Sequence, residues 1–487
     1  DESESRGLGD VYKRQPYNCA PFLIGIPGNF ARMKLLSLTT LRELARLSLP
    51  MVVSHGSFAV MVFSDRWFLA QIDSVHVAAA MGGGVAMFFC VSFFIGLITY
   101  ANALVAQYYG AGDFHKCPKV VTQGFLIALV SVPFLALIGY GMGQAFDHLG
   151  HDSTQVSLER AYFYTLMLGS AFMLLKACLA SYFAGIGRTQ VVMITDVLAI
   201  FINIPLSWLL IFGKFGLPEL GIVGAGLGTV TATVFAIGIY LLFYLSRDHH
   251  AQFSVGKSWG IEPGILRRYL RLGTPSAVEG FMNTATFNLF LLMFQSYGVV
   301  QGAAMAIVFN WDMLSFIPMI GLNIGVMTLI GRFVGAGDMA RANQVISSGL
   351  ILSLGYTGTL AILFLIFRVD LINVFATPDE HFGEIRELAS MMMLGLTSYM
   401  MADAIILICG GALRGAGDTR WIMFTSTSVH WLMLIAQYFV IVKWRAGPLV
   451  SWWVFVVMLI SLAFIYAARL FRGRWRQPER LARVMQE

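Results

Sequence analysis

Charge is scarce in this chain. Asp, Glu, Lys and Arg make up 12% of its 487 residues, and hydrophobic residues make up 57%. Soluble domains carry about 25% charged residues, so this composition cannot cover a water-facing surface. The shortage excludes a soluble enzyme, a disordered protein and a nucleic-acid binder. A polytopic membrane protein remains, and the mean hydropathy of +0.72 agrees. Cysteine is scarce too. Cys19, Cys90, Cys117, Cys178 and Cys409 show no CxxC or paired spacing, which disfavours a disulfide framework or a thiolate metal site. The sequence lacks HExxH, a His-rich cluster and a nucleophile elbow. No catalytic residue is therefore assigned, and the chain reads as a non-enzyme without a cofactor.

What is present is a series of long apolar windows. Twelve are predicted to span a membrane as helices. They lie near 47–69, 77–105, 120–145, 161–184, 190–212, 221–245, 272–297, 302–330, 343–367, 386–410, 421–442 and 449–470. The expected fold class is an all-α polytopic membrane protein with two pseudo-symmetric six-helix lobes, at 33–245 and 272–470. A basic loop at 246–271 links them, and a basic tail follows at 471–487. Residues 1–32 match neither part. The stretch DESESRGLGDVYKRQ has no apolar core, and Met33-Lys34-Leu35-Leu36 looks like a natural start. Residues 1–32 are read as a spurious or disordered extension.

Orientation follows from basic residues in the connections. With the N-terminus inside, about 25 of the 33 Lys and Arg residues fall on the inner side, the asymmetry that the positive-inside rule expects. Both termini are then cytoplasmic. The net charge of +6 belongs to these loops, not to nucleic-acid binding. The tail arginines Arg469, Arg472, Arg474, Arg476, Arg480 and Arg483 are expected to lie against anionic lipid headgroups.

The halves repeat. LVAQYYGAGD at 104–113 resembles LIGRFVGAGD at 329–338, and FAGIGRTQ at 183–190 resembles LRGAGDTR at 413–420. LSLP at 47–50 resembles LGTP at 272–275. Each copy has six spans, so the two share one orientation, and transporters built this way bind substrate between the halves. Gly-Ala-Gly-Asp occurs at 110–113, 335–338 and 415–418, with the variant Gly-Ile-Gly-Arg at 185–188. These are read as tight helix-to-helix turns, with Gly in a left-handed conformation and Asp able to cap the next helix. They match neither GxGxxG nor a P-loop.

Six ionisable residues fall inside predicted spans: Asp65, Lys176, Asp196, Glu279, Asp312 and Asp403. Such residues face a cavity or a partner. Carboxylates there can exchange protons, bind a small hard cation such as Na⁺, or pair with an organic cation. Asp312, beside Asn310 and Trp311, has an aromatic face of the kind that suits organic cations; packing is the other reading. Lys176 is expected to pair with Asp196 or another acid. Alternatively it changes partner during a cycle or favours acidic substrates. Pro50, Pro133, Pro205, Pro275 and Pro318 are predicted to kink their helices. His55 and His430 are read as packing residues.

Together LRGAGDTR at 413–420, VAQYYGAGD at 105–113, SDRWFLAQ at 64–71 and FNWDMLSFIPMIGLNIGV at 309–326 resemble the multidrug and toxic compound extrusion (MATE) family, over about residues 44–470. The resemblance implies a twelve-helix, two-lobe antiporter that exports organic cations against Na⁺ or H⁺. One branch of the family has a functional aspartate at the spacing of Asp65 from Pro50, and another at the spacing of Asp403 from the LRG turn. These become coupling-ion or substrate-cation residues by resemblance. The alternative for Asp65 is an interfacial pair with Arg66. That branch carries a seventh-span glutamate where this chain has Asn283. Glu279 shares a helix face with Asn283 and can take the role, although the position departs from the pattern. Asn203, with Pro205 and Ser207, matches a fifth-span pattern. Some relatives have an aspartate where Ser207 stands, which argues against their N-terminal-lobe proton site here. The implied protein is a functional monomer in a bacterial inner membrane, with lipid and small cationic amphipathic molecules as partners. A related flippase of lipid-linked substrates is the alternative. Flippases of that type carry several cavity cations, and this chain has one basic residue mid-span, Lys176.

Overall fold

A computed structural model of the chain describes residues 37–148, 152–376 and 381–486. The expectation for residues 1–32 lies outside the described residues. Among the described residues, eleven helices are long and apolar enough to cross a membrane, and one bent pair supplies a twelfth. In chain order they are α1 (Leu38–Ala70), α2 (Ser74–Ala111), α3 (Lys116–Ala145), α4 (Ser153–Leu168 with Ser170–Gly185), α5 (Thr189–Phe212) and α6 (Gly221–Tyr244). The second lobe has α7 (Pro263–Gln295), α8 (Val299–Gly335), α9 (Met339–Asn373), α10 (Phe382–Gly415), α11 (Thr419–Tyr438) and α12 (Pro448–Phe471).

The two-lobe, all-helical architecture is as expected. Several details differ. The inter-lobe link is shorter, because Pro263 at the first turn starts α7 eight residues before Arg271. Pro50, Pro133, Pro205, Pro275 and Pro318 lie inside continuous helices. A break with a bend of 47°, not foreseen in the sequence, falls in α4 at Gly169. A Gly-Ser pair weakens the local hydrogen-bond ladder, and Gly169 also lies against Val230 of α6, which leaves no room for a Cβ.

The repeated turns take the expected backbone. Gly112, Gly187, Gly337 and Gly417 all have φ between +71° and +83°. The aspartates that follow do different things. Asp338 caps α9, accepting from Arg341 N at 3.0 Å. Asp113 instead pairs with Lys116 at 3.5 Å. Asp418 accepts from Arg469 of α12 at 2.8 Å. Arg469 is 9% exposed and lies over the Trp421 ring, so it does not point out toward headgroups as expected for it.

The lobes meet through dyad-related helices, α1 against α8 and α2 against α7 and α8. Close approach is concentrated on the side of the Gly-Ala-Gly-Asp turns. A Cβ on Gly110 would lie 2.7 Å from the Arg332 carbonyl carbon, and one on Gly335 would lie 2.9 Å from that of Gln107. These are equivalent positions in the two copies, each glycine packing on the other copy's backbone. Gln107 Nε2 donates to Gly415 O at 2.7 Å, and Arg268 donates to Gln107 Oε1 at 2.5 Å. Arg332 donates to Ile186 O at 3.1 Å and sits over the Tyr109 ring. Tyr100 OH donates to Arg414 O at 3.1 Å, and Thr328 donates to Asn102 Oδ1 at 2.9 Å.

The link docks on the first lobe. Its short helix Arg247–Phe253 buries His249 completely among Tyr182, Phe183, Tyr244 and Phe253. Arg188 can only donate, so its contact with His249 Nδ1 at 3.3 Å places the imidazole proton on Nε2, 2.8 Å from Tyr182 OH. Burial, then the Arg188 charge, pushes His249 down from 6.5 to about 4.

Two outcomes follow from this packing. Gly110→Leu and Gly335→Leu should part the lobes at the turn side. A cysteine placed at Ala103, which is fully buried, should then react faster with a membrane-impermeant maleimide from that side. Unchanged labelling would remove the glycines from this role. The second outcome concerns pH. The undocked His249 takes a proton below about 6.5 and the docked one below about 4. Docking stability is therefore full above the higher value and falls as pH drops through that window. Hydrogen exchange across residues 247–258, corrected for intrinsic rate, should speed up on acidification, and His249→Gln should flatten the response.

Candidate functional site

Three groups of buried polar side chains occupy the spans, and none forms a multidentate metal cage. Among the described residues no three His, Cys, Asp or Glu converge.

The first group belongs to the second lobe. α8 and α10 pack along much of their length, and that contact brings Asp312 and Asp403 into direct electrostatic interaction. Tyr399 is one turn before Asp403, almost fully buried, and faces Asp312. Ser315 Oγ lies 3.3 Å from Asp312 Oδ1 and also donates to the Asp312 carbonyl at 2.8 Å. Trp311 is turned away from the pair, because its Nε1 donates to Leu371 O at 3.2 Å. Two carboxylates held together in apolar surroundings need a positive partner. No Lys or Arg is paired with either among the described residues. A proton, a metal cation or an organic cation can supply the charge.

Glu279 is not part of this pair. Arg414 Nη2 donates to both its oxygens, at 2.7 and 2.8 Å, and the glutamate is 3% exposed. Asn283 does share its face, donating to Glu279 Oε1 at 3.4 Å, and Ser426 donates to Asn283 Oδ1 at 3.1 Å. His430 joins this chain through the Ser426 carbonyl, 2.8 Å from its Nδ1. Glu279 meets the last turn of α10, where Arg414 lies, and Asn283, one turn later on α7, meets Ser426 of α11. Arg414 is a residue that sequence reasoning counted only as a loop charge.

The second group, in the first lobe, surrounds Asp65. This residue is buried, and Thr229 of α6 donates to its Oδ2 at 3.1 Å. Ser207 of α5 adjoins the same carboxylate, and Asn203 Nδ2 donates to Ser207 Oγ at 3.3 Å. Arg66 is exposed on the other side of α1 and forms no pair with Asp65. Asp65 Oδ1 and Asn203 Oδ1 are both buried without a hydrogen-bond partner among the described residues. Two unpartnered hard oxygens beside two hydroxyls suit a proton or a small cation such as Na⁺. Thr229 carries no motif that singles it out in the sequence.

The third group is an ion pair. Lys176 Nζ of α4 lies 2.8 Å from Asp196 Oδ1 of α5, the partner expected for it. Ser54 of α1 donates to Asp196 Oδ2, and His55 feels both charges.

Comparison with known proteins places these groups in a family. The MatE family model matches residues 50–209 and 275–439, one block in each lobe, with starts offset by the repeat spacing. The multidrug resistance protein NorM of Photobacterium profundum is 27% identical over 446 residues, covering 90% of this chain and 95% of that protein. The multidrug resistance protein MdtK of Yersinia pseudotuberculosis is 25% identical, covering 91% and 97%. The solved outward-facing conformation of a multidrug resistance MATE family transporter superposes with a TM-score of 0.78 at 16% identity, covering 92% of this chain and 97% of that one. The chain belongs to the MatE family, whose members are transporters and not enzymes.

Proposed function

We propose that this protein is a secondary multidrug efflux antiporter. It exports cationic amphipathic molecules in exchange for Na⁺ or H⁺ by alternating access, as a monomer in a bacterial inner membrane. The observation that carries this reading is the Asp312–Asp403 pair, two interacting carboxylates with no fixed basic partner. A site of this kind accepts one positive charge at a time. A coupling ion and an organic cation that compete for it, or that favour opposite states of the lobes, exchange across the membrane. The names of the bacterial relatives support the efflux direction and the broad substrate range.

The basic asymmetry of the connections puts the Gly-Ala-Gly-Asp turns in the cytoplasm. The lobes are joined on that side, so this state opens outward and is the one that releases drug and admits the coupling ion. Asp65 with Asn203 forms a second cation site in the first lobe. Glu279 has a different task. Its charge is already matched by Arg414, so it holds α7 to α10 instead of exchanging ions.

These roles separate by experiment. In proteoliposomes with a Na⁺ or pH gradient imposed alone, ethidium export should follow at least one gradient. Asp403→Asn should lower gradient-driven export by about tenfold or more without shifting the thermal midpoint downward. Unchanged coupled export in that variant would remove Asp403 from the mechanism. Glu279→Gln leaves Arg414 without its partner, at a cost of about 3 kcal/mol. Its signature should be a lowered thermal midpoint in purified protein, partly recovered by the double change Glu279→Gln, Arg414→Gln.

A further inference from the structure

The chain after α12 does not run on into the headgroup layer. Gly473, with φ +69°, turns it back, and Trp475 is buried with its Nε1 donating to Leu470 O at 2.9 Å. Gln477 is extended, and Pro478 opens a tail helix, Pro478–Met485. Leu481, Val484 and Met485 recur at i, i+3 and i+4, so they share one face. A basic amphipathic helix of this kind ordinarily sets its apolar face into a membrane surface. Here that face is turned onto the protein, and Leu481 is 1% exposed.

The face lands where the lobes meet. Trp475 and Leu481 belong to the second-lobe core that also takes in Leu44 and Leu47 of α1. Val484 packs against the other core, built mostly from first-lobe helices, and against Gly417 in the α10–α11 turn. Arg271 of α7 donates to the carbonyls of Arg483 and Gln486 at 3.0 and 2.6 Å, groups that the end of a helix leaves unsatisfied. Arg268 of α7 carries the contact across the seam. It is fully buried, its Nη2 donates both to Met485 Sδ at 3.2 Å and to Gln107 Oε1 at 2.5 Å, and its guanidinium covers the Tyr108 ring. Gln107 in turn donates to Gly415 O. Parting the lobes on the turn side separates Gln107 from Gly415. The tail helix touches both ends of that contact, through Gly417 at one and Arg268 at the other. Eight residues are too few for a helix to persist alone, so undocking loses these contacts together.

Building on the alternating-access reading, we propose that residues 474–486 are a latch. Docked, they hold the turn side of the seam shut and favour this state; they leave the seam when the lobes open on that side.

Spin labels at His115 and Ala340 report the seam. Both residues are exposed, and each follows a Gly-Ala-Gly-Asp turn by two positions, one in each repeat copy. Distances between them are read by double electron–electron resonance on the full chain in nanodiscs, with the five native cysteines replaced by alanine. The unmodified tail should give one short distance. Ending the chain after Gly473 should add a longer-distance population. Arg271→Gln, which removes both hydrogen bonds to the tail carbonyls, should raise that population by about fivefold. The reverse experiment ties the tail down. A Cβ on Gly417 lies 3.3 Å from the Val484 Cβ, near the separation of about 3.5–4.5 Å found in disulfides. The pair Gly417→Cys, Val484→Cys, once oxidised, should abolish ethidium export in proteoliposomes, and dithiothreitol should restore it. The reduced form of the same variant controls for the strain of a side chain at φ +83°. If the truncated chain does not fold, Arg271→Gln and the oxidised pair carry the test. A single short distance in Arg271→Gln and in any folded truncation, or export by the oxidised pair at the reduced rate, overturns the latch and leaves the efflux reading in place. The distances need no substrate, so they judge the latch even where no variant and no unmodified chain exports ethidium, the outcome that removes the efflux reading alone.

Discussion

The arrangement of this protein depends on two backbone contacts related by its internal dyad. Gly110 packs on the backbone at Arg332, and Gly335 packs on the backbone at Gln107. No side chain fits between, so α2 and α8 touch at the distance of two bare backbones. That distance sets the spacing of the lobes on the turn side. Once the backbones touch, Gln107 and Arg332 can reach carbonyls at Gly415 and Ile186. Lipid offers no hydrophobic drive for helix association, and small residues that permit close packing take its place.

The seam is polar as well as tight. Its hydrogen bonds run from side chains to backbone carbonyls at helix ends, where those carbonyls have no partner inside the helix. Such contacts are individually modest, about 1 kcal/mol each. The apolar cores also cross the seam: one includes Leu272 and Ala277 of α7 with the first lobe, and another includes Leu44 and Leu47 of α1 with the second, while a third lies within the second lobe. The tail adds to one side of this seam. Arg271 donates to the carbonyls of Arg483 and Gln486 at 3.0 and 2.6 Å, and Val484 packs on Gly417.

The buried charges divide by whether their partner is part of the protein. Glu279 has Arg414, Asp196 has Lys176, and Asp418 has Arg469. Removing one member of such a pair leaves the other stranded in low dielectric. Asp65, Asp312 and Asp403 have only neutral or acidic neighbours. Residues that look alike along the chain therefore differ in whether a basic side chain is paired with them among the described residues.

Much of this was legible in the sequence. A membrane span needs about 20 apolar residues, so composition alone counted the helices, and the 225-residue offset between GAGD copies divided them into lobes. Scarcity of charge also reduced the candidate residues to six within the spans. Pairing was another matter. Which carboxylate meets which partner depends on helix rotation and depth, and only the packed helices show that Glu279 meets Arg414. The bend in α4 was hidden because a lone Gly169 within an apolar window is a weak helix breaker, and its packing against Val230 shows only in the structure. Gln107 and Arg332 occupy the same place in the two repeat copies, a visible correspondence whose meaning emerged only when the copies faced each other. The sequence by itself determined the spans, the repeat and the short roster of charges, because each is dictated locally by the cost of polar groups in lipid. The tertiary structure alone decided which charges cancel inside the protein, because that depends on how separate helices are rotated and packed against one another.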